Sequence, residues 1–176
     1  MQDVRPSCRP SRKRSLPEQL PVRLRDVVDD VLALVAADSN ARRVTIRSDV
    51  PEDLPVVLGD RVQLQQVLLN LIVNGMDAMS TVEAPSRRIE IRGQPDGHDG
   101  HPAARISVQD HGNGLSPEQM DRLFEAFYTT KPHGMGLGLS ISRSIIEAHG
   151  GQLWAEPNQG PGVTFSFRLP AAPAAA

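Results

Sequence analysis

Aromatic residues make up only 3% of this 176-residue chain, with one Trp, one Tyr and four Phe. Its core therefore has to be built from Leu, Val, Ile and Ala. There is one cysteine, Cys8, set among Arg and Pro. That excludes a disulfide framework and a cysteine metal cluster. No apolar run approaches the ~18 residues that a membrane span requires. Residues 1–20 carry charges but no apolar segment of the kind a secretory signal needs. Charge is balanced, at a net −2, which argues against a general nucleic-acid binder. The expectation is a cytoplasmic protein with no membrane segment and no nucleic-acid partner. With 39% hydrophobic and 23% charged residues, its composition is that of an ordinary globular domain.

The stretch that organises the chain is LQQVLLNLIVNGMDAM, Leu64 to Met79. At about 100° per residue, Gln63, Gln66, Asn70, Asn74 and Asp77 fall on one stripe of a helix. Leu64, Val67, Leu68, Leu71, Ile72, Met76 and Met79 cover the other side and its flank, as a core-facing helix requires. Two amides and a carboxylate at i, i+4 and i+7 lie within reach of one bound object. Their oxygens suit a hard cation such as Mg2+, which borrows phosphate oxygens as further ligands. A merely solvated polar face is the alternative.

Residues 1–20 hold five Arg/Lys and three prolines without apolar period, and read as a basic, disordered arm. Val22–Ala37 has the spacing of an amphipathic helix, with Leu24, Val27, Val28, Val31, Leu32, Leu34 and Val35 apolar. Arg43–Val50 alternates as a half-buried strand. PEDLPVVLGD then turns into the organising helix with Asp60 as N-cap. Arg88–Arg92 and Arg105–Asp110 alternate on either side of a Gly/Pro/His/Asp loop, as a hairpin does. Ser116–Phe124 starts Ser-Pro with Glu118 following, a capped short helix. Leu139–His149 is helical and stops at Gly150-Gly151. Leu153–Ala155 and Val163–Leu169 close the chain as a second hairpin, and residues 171–176 form a flexible Ala/Pro tail. Strand pairs of this kind predict an α+β fold: a two-layer sandwich with helices on one face of a mostly antiparallel mixed sheet.

Two glycine clusters follow the organising helix. Asp110-His111-Gly112-Asn113-Gly114 leaves a strand, and Gly134-Met135-Gly136-Leu137-Gly138-Leu139-Ser140 enters a helix. The second brings backbone N–H groups to a helix N-terminus, an arrangement that suits phosphate and equally serves as a plain helix entry. It is not a Walker A loop, because no Gly-Lys-Ser/Thr follows. Asp110 could accept hydrogen bonds from an amino group such as that of adenine, or simply form a turn. Lys131 could meet phosphate or be solvated.

In this order, NLIVNGMDAM, DHGNGL, LFEAFYTTK and GMGLGLSIS resemble the N, G1, F and G2 boxes of sensor histidine kinases. The resemblance spans about Leu20 to Leu169 and is nearest to kinases of the nitrogen- and oxygen-regulated kind. It implies the Bergerat-type ATP-binding sandwich with a mobile lid, over residues 21–170. It implies ATP and Mg2+ as cofactors. Asn74 would be the metal ligand with Asn70 beside it, and Asp77 would line the same wall. Asp110 would bond adenine, with Gly112 and Gly114 admitting the base. Leu115–Met135 would be the lid, carrying Phe124, Phe127, Thr129, Thr130 and Lys131. Gly134, Gly136, Leu137, Gly138 and Leu139 would wrap the phosphates. Catalysis would rest on Asn70, Asn74 and Lys131. Hydrolytic relatives place Glu where this chain has Asn70. Asn cannot deprotonate water, which favours transfer to another acceptor.

The resemblance also implies partners: a dimerising hairpin with a phosphoacceptor histidine, and a response regulator. Of His98, His101, His111, His133 and His149, none has the acceptor setting. The acceptor is therefore expected in trans or on a segment outside this sequence. A nucleotide-dependent switch that transfers no phosphate is the competing expectation.

Overall fold

The computed structural model describes residues 19–97, 101–129 and 134–173. Strand β1 (Leu20–Val22) leads into α1 (Leu24–Ala41), β2 (Thr45–Asp49) and β3 (Val57–Gly59). The organising helix, α2 (Arg61–Ala78), follows, and after it a single 3-10 turn at Ala84–Ser86. Then come β4 (Arg88–Pro95), β5 (Ala103–Asp110), α3 (Pro117–Arg122), α4 (Gly138–Ala148), β6 (Gln152–Pro157) and β7 (Val163–Pro170). Five strands form one mixed sheet in the order β2-β4-β5-β7-β6, parallel only between β2 and β4. Helices α1, α2 and α4 cover one face. Among the described residues no helix is long and apolar enough to cross a membrane.

The hydrophobic pattern explains the layering. Along β5, Ala104, Ile106, Val108 and Asp110 are buried while Arg105, Ser107 and Gln109 lie on the open face. Period-two alternation thus carries Asp110 inward, onto the helix-covered side. On α2, Leu64, Val67, Leu68, Leu71 and Ile72 are fully buried, and each such side chain contributes about 1.5–3 kcal/mol relative to exposure. Both hairpins form as expected. Several details differ. Leu34 is 67% exposed and Ile141 43% exposed, so α1 and α4 bury narrower stripes than their apolar content implies. In β2 only Ile46 is half-buried, because this strand lies at the sheet's edge, and the buried Val44 and Val50 flank it. Leu20, counted with the basic arm, pairs with Gly59 as the first residue of β1. Ala171 and Ala172, counted with the tail, donate to the carbonyls of Pro102 and Val56.

Two helices end in the same way with different residues. After α4, the N–H of Gly150 bonds Glu147 O and that of Gly151 bonds Ile146 O, with Gly150 at φ +72°. After α1, the N–H of Arg43 bonds Asn40 O and that of Val44 bonds Ser39 O, with Arg43 at φ 54°. Both are Schellman ends, whose left-handed residue is best Gly because any Cβ crowds the following carbonyl. Arg43→Gly is therefore expected to stabilise the protein by about 1 kcal/mol, raising Tm by roughly 2–4 °C. A thermal melt with an unchanged or lower midpoint would refute this.

Candidate functional site

Helix α2 is anchored at its start. Asp60 Oδ1 accepts the N–H groups of Val62 at 2.9 Å and Gln63 at 3.2 Å, as a helix N-cap does. The N–H of Asp60 itself goes to His149 Nε2 at 3.0 Å. Because Nε2 accepts, Nδ1 carries the proton and donates to Ile145 O at 2.7 Å. A side chain on Gly59 would meet that imidazole at 2.8 Å. His149 thereby pins the end of α4 to the start of α2, and so fixes where the other end of α4 falls.

That other end falls on Asn70. Asn70 Nδ2 donates to Ser142 Oγ at 3.0 Å, and a Cβ on Gly138 would come within 2.5 Å of Asn70 Oδ1. Glycine is required there for close approach. Leu137, the N-cap of α4, offers no side-chain acceptor, which leaves the N–H groups of the first turn for a ligand. Gly136 takes φ +66°, and Leu139 packs half-buried against the core. One turn along α2, Asn74 Nδ2 donates to Asn70 Oδ1 at 3.4 Å. Asp77, next on the stripe, accepts from Arg42 Nη1 at 2.6 Å, which ties the end of α1 to this wall. Gln63 and Gln66 border an open groove of about 440 Å3 with Ser140, Ile141, Ser144 and Ile145, outside the Asp110 side of the wall.

Asp110 meets α2 at Gly75, where a Cβ would sit 3.2 Å from Asp110 Cβ and 3.2 Å from Ile89 Cδ1. As a residue, Asp110 is 2% exposed. Oδ1 accepts the N–H of Gly112 at 2.8 Å and that of Val163 at 3.4 Å. Burial raises its pKa, while these two N–H groups and His111 act in the opposite direction. Gly112 packs on α2, since a Cβ would lie 2.7 Å from Ala78 O, and Gly114 adopts φ +76° beside the backbone of Gly162.

The described part of the expected lid begins at the capped helix α3. Ser116 caps it in a box closed by Gln119 and not by Glu118: Gln119 N–H donates to Ser116 Oγ at 3.3 Å and Ser116 N–H to Gln119 Oε1 at 2.8 Å. Glu118 instead accepts from the Ser116 hydroxyl. Phe124 packs partly buried against the core with the Arg143 guanidinium 5.0 Å from its ring centre. Phe127 is 77% exposed at φ 68°, and its N–H donates to Gly136 O at 2.9 Å. Thr129 and Gly134 are described. Thr130, Lys131 and His133, like His98, lie outside the described residues.

The structure thus brings Asn70, Asn74, Asp110, Gly112 and Gly138 around one helix. Sequence reasoning missed Gly75, Ser142, Arg42, His149, Asn158 and Gly162. For the last two, the Asn-Gln-Gly-Pro-Gly turn before β7 was an available signal.

An α/β sandwich with this wall and these two glycine turns defines a class. The chain belongs to the family of histidine kinase-, DNA gyrase B- and HSP90-like ATPases, whose model matches residues 59–173. Among its relatives, the sensor protein FixL of Bradyrhizobium diazoefficiens is 42% identical over 149 residues, 85% of this chain and 28% of FixL. The sensor protein TdiS of Thauera aromatica is 40% identical over 154 residues, 88% of this chain and 28% of TdiS. The chain therefore spans under a third of these relatives' length. The catalytic domain of the histidine kinase ThkA superposes with a TM-score of 0.74 at 32% identity, covering 88% of this chain and 96% of that domain. Full-length ShkA, solved in complex with AMPPNP, also gives 0.74 at 31% identity, covering 90% of this chain and 32% of ShkA.

Proposed function

We propose that this chain is the ATP-binding catalytic part of a sensor histidine kinase, with residues 21–170 as the catalytic domain, and that it donates the γ-phosphate of ATP to a histidine. One observation carries the reading. Asn70 and Gly75, roughly 7.5 Å apart along the α2 axis, lie against the open N-terminus of α4 and against the Cβ of the buried Asp110 respectively. A phosphate grip and an acceptor for an amino group are thus held by one rigid wall.

In this reading the second oxygen of Asp110 accepts the adenine amino group, and Gly112 and Gly114 flank the base. Gly134, Gly136, Leu137, Gly138 and Leu139 hold the phosphates, with Thr129, Thr130 and Lys131 closing over them. Asn70 and Asn74 face the triphosphate, and Asp77, held by Arg42, ends the wall. A Mg2+ ion fits this donor set. Among the described residues no group of three or more His, Cys, Asp or Glu could hold a metal alone, and a single Asn74 carbonyl supplemented by phosphate oxygens and water suits Mg2+. When bound, the ion neutralises phosphate charge. Asn70 takes no proton from water, so hydrolysis is slow, whereas an imidazole acceptor brings its own lone pair and needs positioning above all.

Two of the described histidines are poor acceptors. His149 is buried between Asp60 and Ile145, and Arg88 Nε donates to His111 Nε2 at 3.3 Å. His101 lies in the loop before β5. We place the acceptor on a partner hairpin or on a segment outside this sequence, with a response regulator downstream and the cytoplasm as the site of action. The chain alone is expected not to label itself from γ-labelled ATP. Given a separate dimeric hairpin bearing an exposed histidine, it is expected to transfer label to that ring as an acid-labile, base-stable phosphoramidate. Strong self-labelling would overturn the placement of the acceptor. Tight ATP binding without transfer to any sensor-kinase hairpin would overturn the transferase reading.

A further inference from the structure

We propose that Asn158 is a positioning residue for nucleotide discrimination: its amide clamps the β6–β7 turn over the end of β5 and holds the Asp110 carboxylate in the pose that reads an adenine amino group. The inference rests on the adenine-reading role proposed above for Asp110, and adds a residue from the far side of the sheet that touches no part of the proposed nucleotide.

The pairing of β5 with β7 runs as far as Gln109 opposite Thr164 and then stops, while Val163 pairs with Pro157 of β6. Where the ladder ends, two backbone groups need new partners. The N–H of Val163 turns to the Asp110 side chain at 3.4 Å. The main-chain carbonyl of Asp110 accepts from Asn158 Nδ2 at 2.9 Å. The same NH2 donates to Pro161 O at 2.9 Å, and Asn158 Oδ1 accepts the hydroxyl of Thr164 at 2.7 Å. Two carbonyls on one side of the amide fix its orientation, because only the NH2 can serve them. Gly162, at φ +96°, lies so close to the Asp110 carbonyl that a Cβ there would collide with its oxygen. The turn therefore grips Asp110 three ways: on its carbonyl through Asn158, on its carboxylate through Val163, and by contact through Gly162.

A turn needs none of this to close, since the N–H of Asn158 already bonds Gly162 O at 3.3 Å. The bond across to β5 is what couples the turn to the site. Without it the Asp110 carbonyl is left unpaired in a buried place, and relaxation of residues 110–112 swings the carboxylate off its two N–H donors.

The test compares ATP with purine riboside triphosphate, which lacks only the amino group, by equilibrium titration of the full chain with Mg2+. Asn158→Ala is expected to weaken ATP about tenfold and the purine analogue less than about twofold, the scale of one lost hydrogen bond. Thr164→Val, which frees the amide but leaves it in place, is expected to give a smaller loss of the same selectivity. In an Asp110→Ala background, Asn158→Ala is expected to change ATP affinity no further. Equal losses for both nucleotides, or an undiminished loss in the Asp110→Ala background, would make Asn158 a turn former only and overturn the proposal. Should Asn158→Ala fail to fold by thermal melt, Thr164→Val decides: unchanged selectivity in that folded variant overturns the clamp. A parent protein that binds the two nucleotides equally well would instead overturn the reading of Asp110 itself.

Discussion

Asp110→Asn is expected to unfold at a urea concentration no lower than the parent's at pH 7, yet to bind ATP on the order of a hundredfold more weakly. Geometry requires the split. Oδ1 accepts two backbone N–H groups, from Gly112 and Val163, so an amide must put its oxygen there. Its NH2 then takes the position of the other carboxylate oxygen, and a donor faces the donor on adenine. A lost acceptor together with a buried, unpaired NH2 amounts to about 3 kcal/mol. For the apo protein the sign is different. Burial raises the pKa of Asp110 above its unfolded value of 3.8. Between 3.8 and the raised value the folded state binds more protons than the unfolded one, so stability grows as pH falls through that window. Above it the buried charge is a standing cost, and Asp110→Asn removes that cost. Urea melts at pH 5 and pH 7, beside a calorimetric titration with MgATP, check both halves. Parental ATP affinity in the folded variant would end the role of Asp110 as base reader.

The second large effect concerns Asn74. Asn74→Ala is expected to leave the fold intact, because the side chain is half-buried on the polar stripe and the core residues Leu71, Ile72 and Met76 are untouched. It is expected to erase the gain in ATP affinity that Mg2+ gives the parent, about tenfold or more for one metal ligand on a charged phosphate group. The informative quantity is the ratio of affinities with and without Mg2+. In the parent, chelation with EDTA should lower affinity sharply. In Asn74→Ala, chelation should change little, because both conditions then lack the protein's ligand. A variant that keeps the parent's full dependence on Mg2+ would remove Asn74 from the metal site.

Much of the site was legible because its signals are local. The period of α2 separates Asn70, Asn74 and Asp77 from the core, and the Asp60 cap marks the helix start. Alternation along β5 alone places Asp110 with Ile106 and Val108 on the buried face, a stronger indication than the glycine that follows it. The capping box is equally local: its Ser-x-x-Gln spacing, Ser116 to Gln119, stands in the sequence, and Glu118 lies one residue too early to close it. The extra width assigned to the apolar faces of α1 and α4 shows the limit of local reading. A helix shows which residues are apolar, but its neighbours decide how much of that face they cover.

The sequence by itself determined the main helices, the two hairpins and the polar stripe of α2, because helix and strand periodicity are set by the backbone over a few residues, whereas the three-residue strands β1 and β3 are too short to carry a period. The pairings that assemble the site were decided only in three dimensions. β1 against β3, the parallel register of β2 on β4, His149 on Asp60, Arg42 on Asp77 and Asn158 on the Asp110 carbonyl each join residues at least 35 apart in the chain. Their partners are backbone groups left over at the ends of helices and ladders, or side chains that come within reach only after the two layers close. No local period records where such groups meet. Burial requires that each be satisfied, and the tertiary structure chooses by what.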